Sequence, residues 1–398
     1  MAILNKGLFI VSAKRTPFCK YGGPLRELPA SHAFAAAAKA TFQSANVNPS
    51  LVDCTIVGNV HFLSQCDGGK TPRYCGIYSG VPIEKPALGV NKTCASGLQA
   101  LISSGVEILS GSSNTCLTGG TEIMSSLPML ARNVRFGTSL SIPYVLEDYI
   151  TKEFQDSYTE VSLQQMSENL ARKFNISRND ADDFAAKSHL KFISGQERGV
   201  FDPELTSIDV TLKKRELTIS KDDLPDASIS VEKLSSISPI LESGCILTAG
   251  NTAVPADGAA ALLVASEEVV TKNNLNPLAR ITGWSCIGVN PQEPGLGSVA
   301  SVENLMNITK CRLADIDSFE INEIFSSEAL VTAKALKIDE QRVNQYGGAI
   351  ALGNPVAATG ARMAVHIVHQ IRSNKYQKAV AVSSTGGGQG VAVMFEKV

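Results

Sequence analysis

The sequence predicts an α/β protein made of two related halves with a domain inserted between them. Segments typical of strands and helices alternate along the 398 residues, which favours layered α/β packing. A pattern of turn, helix and strand found around residue 100 returns near the C-terminus. The segment between the two copies is more polar and more highly charged. These three observations define the expected domain organisation.

The N-terminal segment predicts a buried first strand, because "GLFIVSAKRTPF" is largely apolar up to a proline-containing turn. The first 26 residues carry five basic side chains, and no acidic residue precedes Glu27. This acid-poor, basic start resembles an organellar targeting segment. It is equally consistent with the basic edge of a strand. Because the first strand begins so early, we do not expect the segment to be cleaved.

Two segments 264 residues apart (317 − 53) carry the same pattern. The first comprises "VDCTIVGNV" (52–60) and residues 91–120, and the second comprises "IDSFEINEI" (316–324) and residues 353–388. In each copy, an apolar strand leads to a tight turn, a helix start of small residues, an amphipathic helix, a buried strand and glycines. Such duplication predicts two similar halves that face each other, with turn-to-helix junctions at their interface.

The polar segment 121–250 is interpreted as an inserted lid domain and not as a third repeat. Its clearest element is an amphipathic helix in "SRNDADDFAAKSHLKFISGQ", with Ser177 as the N-cap. The predicted N-terminal half therefore covers residues 1–120 and is completed by 251–272. The predicted C-terminal half covers residues 273–398.

Composition excludes several classes of function. The net charge of −2 gives no excess of positive charge that would attract nucleic acid or an anionic membrane surface. No apolar run approaches the ~20 residues of a membrane span. The nine cysteines are scattered without a CxxC pair, which argues against a disulfide framework or a zinc ribbon and for a reducing compartment.

The first junction, "NKTCASGLQA", places Cys94 at a predicted helix start. Unpaired backbone N–H groups and the helix dipole stabilise a thiolate there, and the pKa of such cysteines falls to roughly 3.5–7.5. The alternative is a small buried hydrophobic side chain, which suits most of the other cysteines. The residues alone do not decide between a nucleophile and a structural cysteine.

Three further groups lie at or near such junctions. In "INEIFSSEAL" the pair Asn322-Glu323 follows a strand, and a simple helix cap is favoured over side chains that point into a cleft. The glycines of "SSTGGGQG" allow close backbone approach and an anion or oxyanion nest. His366 and His369 in "AVHIVHQ" lie within a helix without a third ligand, so structural histidines are favoured over a metal site.

With these junctions in place, the chain resembles the thiolase family, specifically the 3-ketoacyl-CoA and acetoacetyl-CoA type. The resemblance runs essentially end to end and rests on "VSAKRTPF", "GGTEIMS", "NVRFGT", "LTAGNTAVPADGAAALLVAS", "INEIF", "GGAIALGNP" and "GGGQG". It implies a five-layered αβαβα core, a lid domain that binds coenzyme A, and a homodimer or homotetramer. The implied substrate is a coenzyme A thioester of fatty acid β-oxidation, with no metal and no other cofactor. The implied compartment is the mitochondrial matrix, with the cytoplasm as alternative.

The resemblance also assigns roles to individual residues. Cys94 matches the nucleophile that an acyl-CoA acylates, and Asn322 matches the asparagine that holds a water in one oxyanion hole. The backbone at Cys94 and Gly386 would form the other oxyanion hole. Asn354 stands where the family has its activating histidine, and Ser384 stands where the family has its second cysteine.

Positions implied to contact coenzyme A are substituted as well. Ala253 replaces a serine next to the pantetheine arm, and Leu224 or Asp226 stands near the position of an arginine that contacts the nucleotide. The predicted catalytic set is thus Cys94, Asn322, Asn354, Ser384 and Gly386, which contains a nucleophile and donors but no base that titrates near neutrality.

Two functional hypotheses remain open at this point. In the first, the chain is an acyltransferase of the thiolase lineage that keeps acylation of Cys94 but catalyses thiolysis slowly, because a positioned acid or base is worth roughly 10²–10⁴ in rate. An amide such as that of Asn354 polarises a thioester oxygen but accepts no proton at neutral pH. In the second, the chain is a non-catalytic homologue that acts as a regulatory or structural subunit or binds acyl-CoA.

Overall fold

The computed structural model describes residues 7–64 and 67–398. Residues 1–6, on which part of the targeting interpretation rests, and Cys66 lie outside the described residues. The strands are β1 Leu8–Arg15, β2 Cys19–Lys20, β3 Cys54–Gly58, β4 Ala87–Val90, β5 Thr115–Ile123, β6 Met129–Ala131, β7 Leu146–Asp148, β8 Ile208–Leu212, β9 Arg215–Ile219, β10 Ala256–Ser266, β11 Ala279–Gly288, β12 Ser318–Ile321, β13 Lys378–Thr385 and β14 Gln389–Glu396.

The α-helices alternate with these strands. They are α1 Ala30–Ala45, α2 Thr71–Tyr78, α3 Ser96–Ser110, α4 Tyr149–Glu153, α5 Leu163–Lys173, α6 Arg178–Glu197, α7 Val231–Ser235, α8 Glu267–Lys272, α9 Leu296–Thr309, α10 Ser326–Leu336, α11 Ala349–Leu352 and α12 Val356–Arg372. Short 3₁₀ turns connect some of them, at Pro49–Leu51, Phe62–Ser64, Gly68–Lys70, Met124–Ser126, Leu313–Asp315 and Glu340–Arg342.

The large sheet has the strand order β12-β13-β14-β11-β1-β10-β5-β3-β4, with β2 paired to β10. It is mixed, since β3 pairs in parallel with β4 and β5, and β12 pairs in parallel with β13. The two halves meet where β1 pairs with β11 over only two residue positions, Phe9 with Arg280 and Ile10 with Ala279. The strands of each half therefore form their own part of the sheet, and the short pairing of β1 with β11 joins the two parts.

Five layers follow from the helix contacts. Helices α1 and α2 cover the outer face of the N-terminal strands, and α9 and α10 cover the outer face of the C-terminal strands. Helices α3 and α12 pack against each other and contact strands of both halves, so they form the central layer. The buried side chains divide accordingly into one central and two outer clusters. The predicted αβαβα architecture with two related halves is confirmed.

The central helices approach each other closely enough for their backbones to touch. A Cβ placed on Gly97 of α3 would lie 2.5 Å from the backbone nitrogen of Ala361 on α12. A Cβ on Gly120, at β5, would lie 2.0 Å from the carbonyl oxygen of Ala357. No side chain fits at either position, because atoms in protein interiors are already packed at the density of organic crystals. The separation of α3 and α12 is therefore set by main chain.

The predicted repeat corresponds to matching elements in the structure. In the first half β3, α3 and β5 occur in this order, with α2 and β4 between β3 and α3. In the second half β12, α12 and β13 occur in the same order, with α10 and α11 between β12 and α12. Each half contains a parallel pair of strands. The predicted first strand is β1, and the predicted polar helix is α6, with Ser177 as N-cap in a capping box with Asp180. The small hairpins β6-β7 and β8-β9 lie apart from the large sheet.

Candidate active site

The turn-to-helix junctions of the two halves meet at one cavity of about 290 Å³. Cys94 before α3, Asn354 before α12 and Gly386 after β13 contribute to its walls. Ile150, residues 153–156 and Leu163, which belong to the segment predicted to be inserted, also line the cavity. Met124, Ile324 and Val356 are among the apolar side chains that line it, together with Leu163. The cavity suits an apolar chain that ends at Cys94.

Both junctions share one backbone arrangement. Thr93 has φ of 43° and Gly353 has φ of 83°, and each immediately precedes the residue that lines the cavity, Cys94 or Asn354. The N-cap follows directly, as Ala95 for α3 and as Pro355 for α12. A β-branched residue such as threonine is strained at positive φ, at a cost of order 1–3 kcal/mol. The surrounding hydrogen bonds hold it there, including the one that Thr93 N donates to Asn91 Oδ1.

Cys94 is half-buried and lines the cavity. Burial, together with the negative charges of Glu153 and Glu328, raises the pKa of Cys94 to about 12. Desolvation and the two negative charges thus outweigh the effect of the helix start, which by itself lowers the pKa of a cysteine.

Asn354 offers a donor and no base. Its backbone N–H donates to Val254 O at 2.8 Å, and its side-chain Oδ1 accepts a hydrogen bond from Thr359 Oγ1 at 2.7 Å. Within residues 7–64 and 67–398, its Nδ2 group forms no hydrogen bond, so this donor remains for a molecule in the cavity. Leu224 lies beside this turn, since its Cδ1 is 2.4 Å from where a Cβ on Gly353 would lie.

Ser384 lies behind the cavity wall and donates to Glu328 Oε2 at 3.2 Å. Glu328 is 6% exposed, and burial raises its pKa to about 7, although hydrogen bonds from Ser384 and Ser167 lower it. Glu328, which is not one of the predicted site residues, thus adds a carboxyl with a pKa near neutrality beside Ser384. Sequence reasoning missed Glu328 because nothing in "SSEAL" indicates how deeply its carboxyl is buried.

Asn322 and Glu323 do not cap the following helix. The N-cap of α10 is Phe325, so the favoured cap interpretation is wrong. Asn322 is 2% exposed and donates from Nδ2 to Ser383 Oγ at 3.1 Å, and its Oδ1 is buried without a partner among the described residues. Glu323 accepts hydrogen bonds from Ser188, Asn344 and Ile350, which join α6 to the C-terminal half.

The positions expected to contact coenzyme A separate in space. Ala253 lines the cavity, and its N–H donates to Ile324 O at 3.0 Å. Asp226 is exposed on a loop, where its N–H donates to His189 Nδ1 at 3.2 Å and its Oδ1 accepts from Ser228. Asp226 and Leu224 are not part of the cavity wall in the described chain. The structure thus brings Cys94, Asn354, Gly386 and Ala253 together at the cavity.

A histidine that sequence reasoning did not single out lies next to this cavity. His61 is fully buried, its Nε2 contacts Glu153 Oε2, and its Nδ1 is 3.5 Å from Glu122 Oε1. Burial alone would lower the pKa of His61, but hydrogen bonds and charge from Glu122 and Glu153 outweigh it and raise the pKa to about 10. The two carboxylates therefore favour the charged form of the imidazole. Glu153 lines the same cavity as Cys94.

The two histidines of α12 are structural, as expected. His366 Nδ1 lies 2.9 Å from Glu204 Oε2, and His369 Nε2 lies 2.8 Å from Ala13 O. Over the described ranges, no group of three or more His, Cys, Asp or Glu side chains is arranged to hold a metal ion. Over the same ranges, no helix is long and apolar enough to cross a membrane.

Comparison with family models matches two domains that together cover most of the chain. Residues 8–268 match the thiolase N-terminal domain, and residues 275–397 match the thiolase C-terminal domain. Among curated proteins, the mitochondrial 3-ketoacyl-CoA thiolase of Bos taurus is 39% identical over 396 residues, covering 100% of this chain and 99% of that protein. A probable acetyl-CoA acyltransferase of Staphylococcus aureus (strain COL) is 35% identical, with 98% of each chain covered.

Solved structures give the same result. The crystal structure of human mitochondrial 3-ketoacyl-CoA thiolase in complex with CoA superimposes with a TM-score of 0.96 at 36% identity, covering 100% of this chain and 99% of that chain. The Bacillus anthracis acetyl-CoA acetyltransferase superimposes with a TM-score of 0.95 at 31% identity, with 99% of each chain covered.

Proposed function

The chain belongs to the thiolase family, and from that premise we propose that it is an acyl-CoA acyltransferase in which Cys94 accepts the acyl group. The observation that carries the proposal is the position of Cys94. Its side chain reaches a cavity of about 290 Å³ that is largely apolar and that also presents Asn354 and Gly386. A nucleophile beside free donors and an apolar channel is the minimum that acyl transfer from a thioester requires.

We further propose that the carbon–carbon half of the thiolase reaction is slow in this protein. Asn354 offers only an amide, and the hydroxyl of Ser384 is engaged with Glu328 at 3.2 Å. Loss of one positioned acid or base costs roughly 10²–10⁴ in rate, and two losses in one working unit do not simply multiply. Thiolysis of a 3-ketoacyl-CoA should therefore proceed several orders of magnitude more slowly here than at a site that keeps both proton carriers.

The test is incubation of the full chain with acetyl-CoA, followed by intact-mass measurement. We expect a mass increase of one acetyl group that maps to Cys94 and disappears in Cys94→Ser. A parallel assay follows cleavage of acetoacetyl-CoA by coenzyme A. Absence of both the adduct and detectable coenzyme A binding would remove the enzyme proposal, and rapid thiolysis by the natural chain would remove the proposal of slow turnover.

A second candidate is a non-catalytic thiolase homologue that binds acyl-CoA or acts as a regulatory or structural subunit. The raised pKa of Cys94, about 12, favours it, because so few thiols are ionised at neutral pH. This candidate predicts coenzyme A binding without an acyl adduct. The mass measurement therefore separates the two candidates directly.

The wider assignment follows the relatives and remains a proposal. Named relatives are mitochondrial 3-ketoacyl-CoA thiolases, which supports a fatty acid β-oxidation substrate and the mitochondrial matrix. A solved relative binds CoA, which supports a coenzyme A thioester as substrate with no further cofactor. We propose a homodimer or homotetramer, and a division into halves 1–120 with 251–272 and 273–398 around a lid at 121–250.

A further inference from the structure

The cavity contains a carboxylate that the family resemblance does not assign. Glu153 ends the short helix α4, and its side chain lines the same cavity as Cys94. Its side chain is 34% exposed, so the carboxylate is reachable from the cavity without any rearrangement of the core. Its charge acts on the Cys94 thiol strongly enough to raise the pKa of that thiol. A negative oxygen therefore lies within electrostatic range of the sulfur.

His61 holds this carboxylate from behind. The imidazole is fully buried between Glu153 and Glu122, and Tyr149 packs edge-on against it with ring centroids 5.8 Å apart. Glu122 is itself satisfied by other donors, since Asn59 Nδ2 is 2.8 Å and Val60 N is 3.0 Å from its carboxylate. The positive charge of His61 is thus shared with Glu153, which gives that carboxylate a counter-charge beside an apolar cavity.

The other two carboxylates near Cys94, those of Glu328 and Asp156, are engaged elsewhere. Glu328 also acts electrostatically on Cys94, but it lies 6% exposed behind the wall and binds Ser384. Asp156, the other acidic residue of the cavity wall, accepts hydrogen bonds from Tyr158 N and Thr159 N of its own turn. Glu153 is the one carboxylate of the described cavity wall whose partner is a buried cation.

We propose that the Glu153 carboxylate, positioned by His61, takes the proton of the Cys94 thiol as the sulfur attacks the thioester. This inference rests on the proposed acylation of Cys94. A bond forms between Cys94 Sγ and the acyl carbonyl carbon, and the bond from that carbon to the sulfur of coenzyme A breaks. The proton passes from Cys94 to Glu153 and then to the departing sulfur, so coenzyme A leaves as a thiol. No electron is exchanged with an outside partner.

The proposal explains how a thiol with a high pKa can still react. The proton needs to leave only during attack, so a carboxylate in the same cavity replaces a standing population of thiolate. Glu153 is the catalytic residue in this scheme and His61 is a positioning residue. Thiolysis also requires a proton for the departing α-carbon, and the proposal assigns no such role to Glu153, so thiolysis stays slow as proposed above.

The test compares two reactions of Cys94 in Glu153→Gln. Acylation by acetyl-CoA is followed by intact mass, and alkylation by iodoacetamide is followed by mapping Cys94. Loss of the negative charge lowers the pKa of the thiol, so alkylation should become faster. Loss of the base should make acylation slower by about 10²-fold. A purely electrostatic role would instead make both reactions faster, because both use the same sulfur.

The matched control is Glu160→Gln, which removes a carboxylate from an exposed position of the same segment, outside the cavity wall. Both rates should stay at the natural level in this variant. Acylation of Glu153→Gln at or above the natural rate overturns the inference and leaves Cys94 acylation intact. Slowing of both reactions also overturns it, because Glu153 would then only shape the cavity. Absence of acylation in the natural chain instead removes the proposed function on which the inference rests.

His61 is tested by conservative and non-conservative replacement. His61→Gln keeps a donor for Glu153, and His61→Leu fills the same space without one. We expect the acylation rate to fall roughly tenfold in His61→Leu and to be largely restored in His61→Gln, with alkylation unaffected by the difference. Equal acylation rates in the two variants would contradict a positioning role. Added formate should partly rescue Glu153→Ala, which reports the missing carboxylate even if packing around His61 changes.

Discussion

The two halves present the same backbone junction to the cavity, but the side chains at the two junctions differ in the chemistry they can perform. In each, a residue at positive φ, Thr93 or Gly353, precedes the cavity residue, and the helix N-cap follows. The first junction ends in Cys94, a nucleophile whose sulfur can form a covalent bond. The second ends in Asn354, which can donate a hydrogen bond but accepts no proton at neutral pH. The backbone conformation is therefore repeated in the two halves, but the nucleophile is present in only one of them.

This difference shows that the fold fixes where groups meet but not what they do there. The strand–helix–strand unit delivers both residues to one cavity because the central helices α3 and α12 pack against each other. Which reaction follows depends on single side chains at those two positions and on the carboxylates around them. The predictions below alter one junction at a time.

The largest expected effect comes from restoring proton carriers to the second junction. Asn354→His with Ser384→Cys should raise thiolysis of acetoacetyl-CoA by roughly 10² to 10⁴ over the natural chain. The natural chain and each single variant serve as controls in the same assay. A double variant that stays inert while it binds coenzyme A would show that another feature limits the reaction, such as the carboxylate of Glu328 beside position 384.

The next effect concerns the first junction alone. Burial and nearby carboxylates raise the pKa of Cys94 to about 12, so its alkylation by iodoacetamide should rise about tenfold per pH unit from pH 8 to 10. An unstructured peptide thiol, with a pKa of about 8.5, should level off in that range. Peptide mapping isolates Cys94 from the exposed Cys245 and Cys286. A plateau of Cys94 reactivity below pH 9 would contradict a thiol held in its neutral form.

The smallest effect is one of stability and concerns the carboxyl behind the second junction. Glu328 has its pKa raised from 4.5 to about 7, so the folded state keeps its proton where the unfolded state has lost it. Below pH 4.5 Glu328 is protonated in both states, so its titration does not change the free energy of unfolding. Between about 4.5 and 7 stability falls with rising pH, by roughly 3 kcal/mol in total. Glu328→Gln should therefore be more stable than the natural chain at pH 8 and equal to it at pH 4.5.

Thermal or denaturant unfolding at the two pH values measures this difference. Glu303→Gln, an exposed replacement on α9, is the control and should show no pH-dependent gain. A constant stability difference between Glu328→Gln and the natural chain at both pH values would contradict a titration near neutrality. It would instead indicate an altered contact with Ser384.

Much of the fold could be predicted because its signals are local. The apolar run of β1, the Ser177 cap of α6 and the repeated pattern at residues 91–120 and 353–388 depend on residues close in sequence. The pairing of β1 with β11 had no such signal, since it joins residues about 270 apart over two positions. The residue boundaries of the two halves and of the lid stay a prediction.

The sequence predicted which junction residues form the site, but it did not predict the charges and the burial around them. Cys94 and Asn354 follow from turn residues next to helix starts. The contact of His61 with Glu153 joins residues 92 apart, and the pKa of Cys94 depends on burial that only packing determines. The supposed cap at Asn322 failed for a related reason, since α10 starts three residues after Glu323, at Ser326, and tertiary hydrogen bonds hold the asparagine.

The contact of Gly97 with the backbone of Ala361 has a consequence for how this site responds to change. Main chain faces main chain there, so any larger residue at position 97 would have to push α3 and α12 apart. Because Cys94 and Asn354 lie just before these two helices, such a change would also move the sulfur and the amide away from each other.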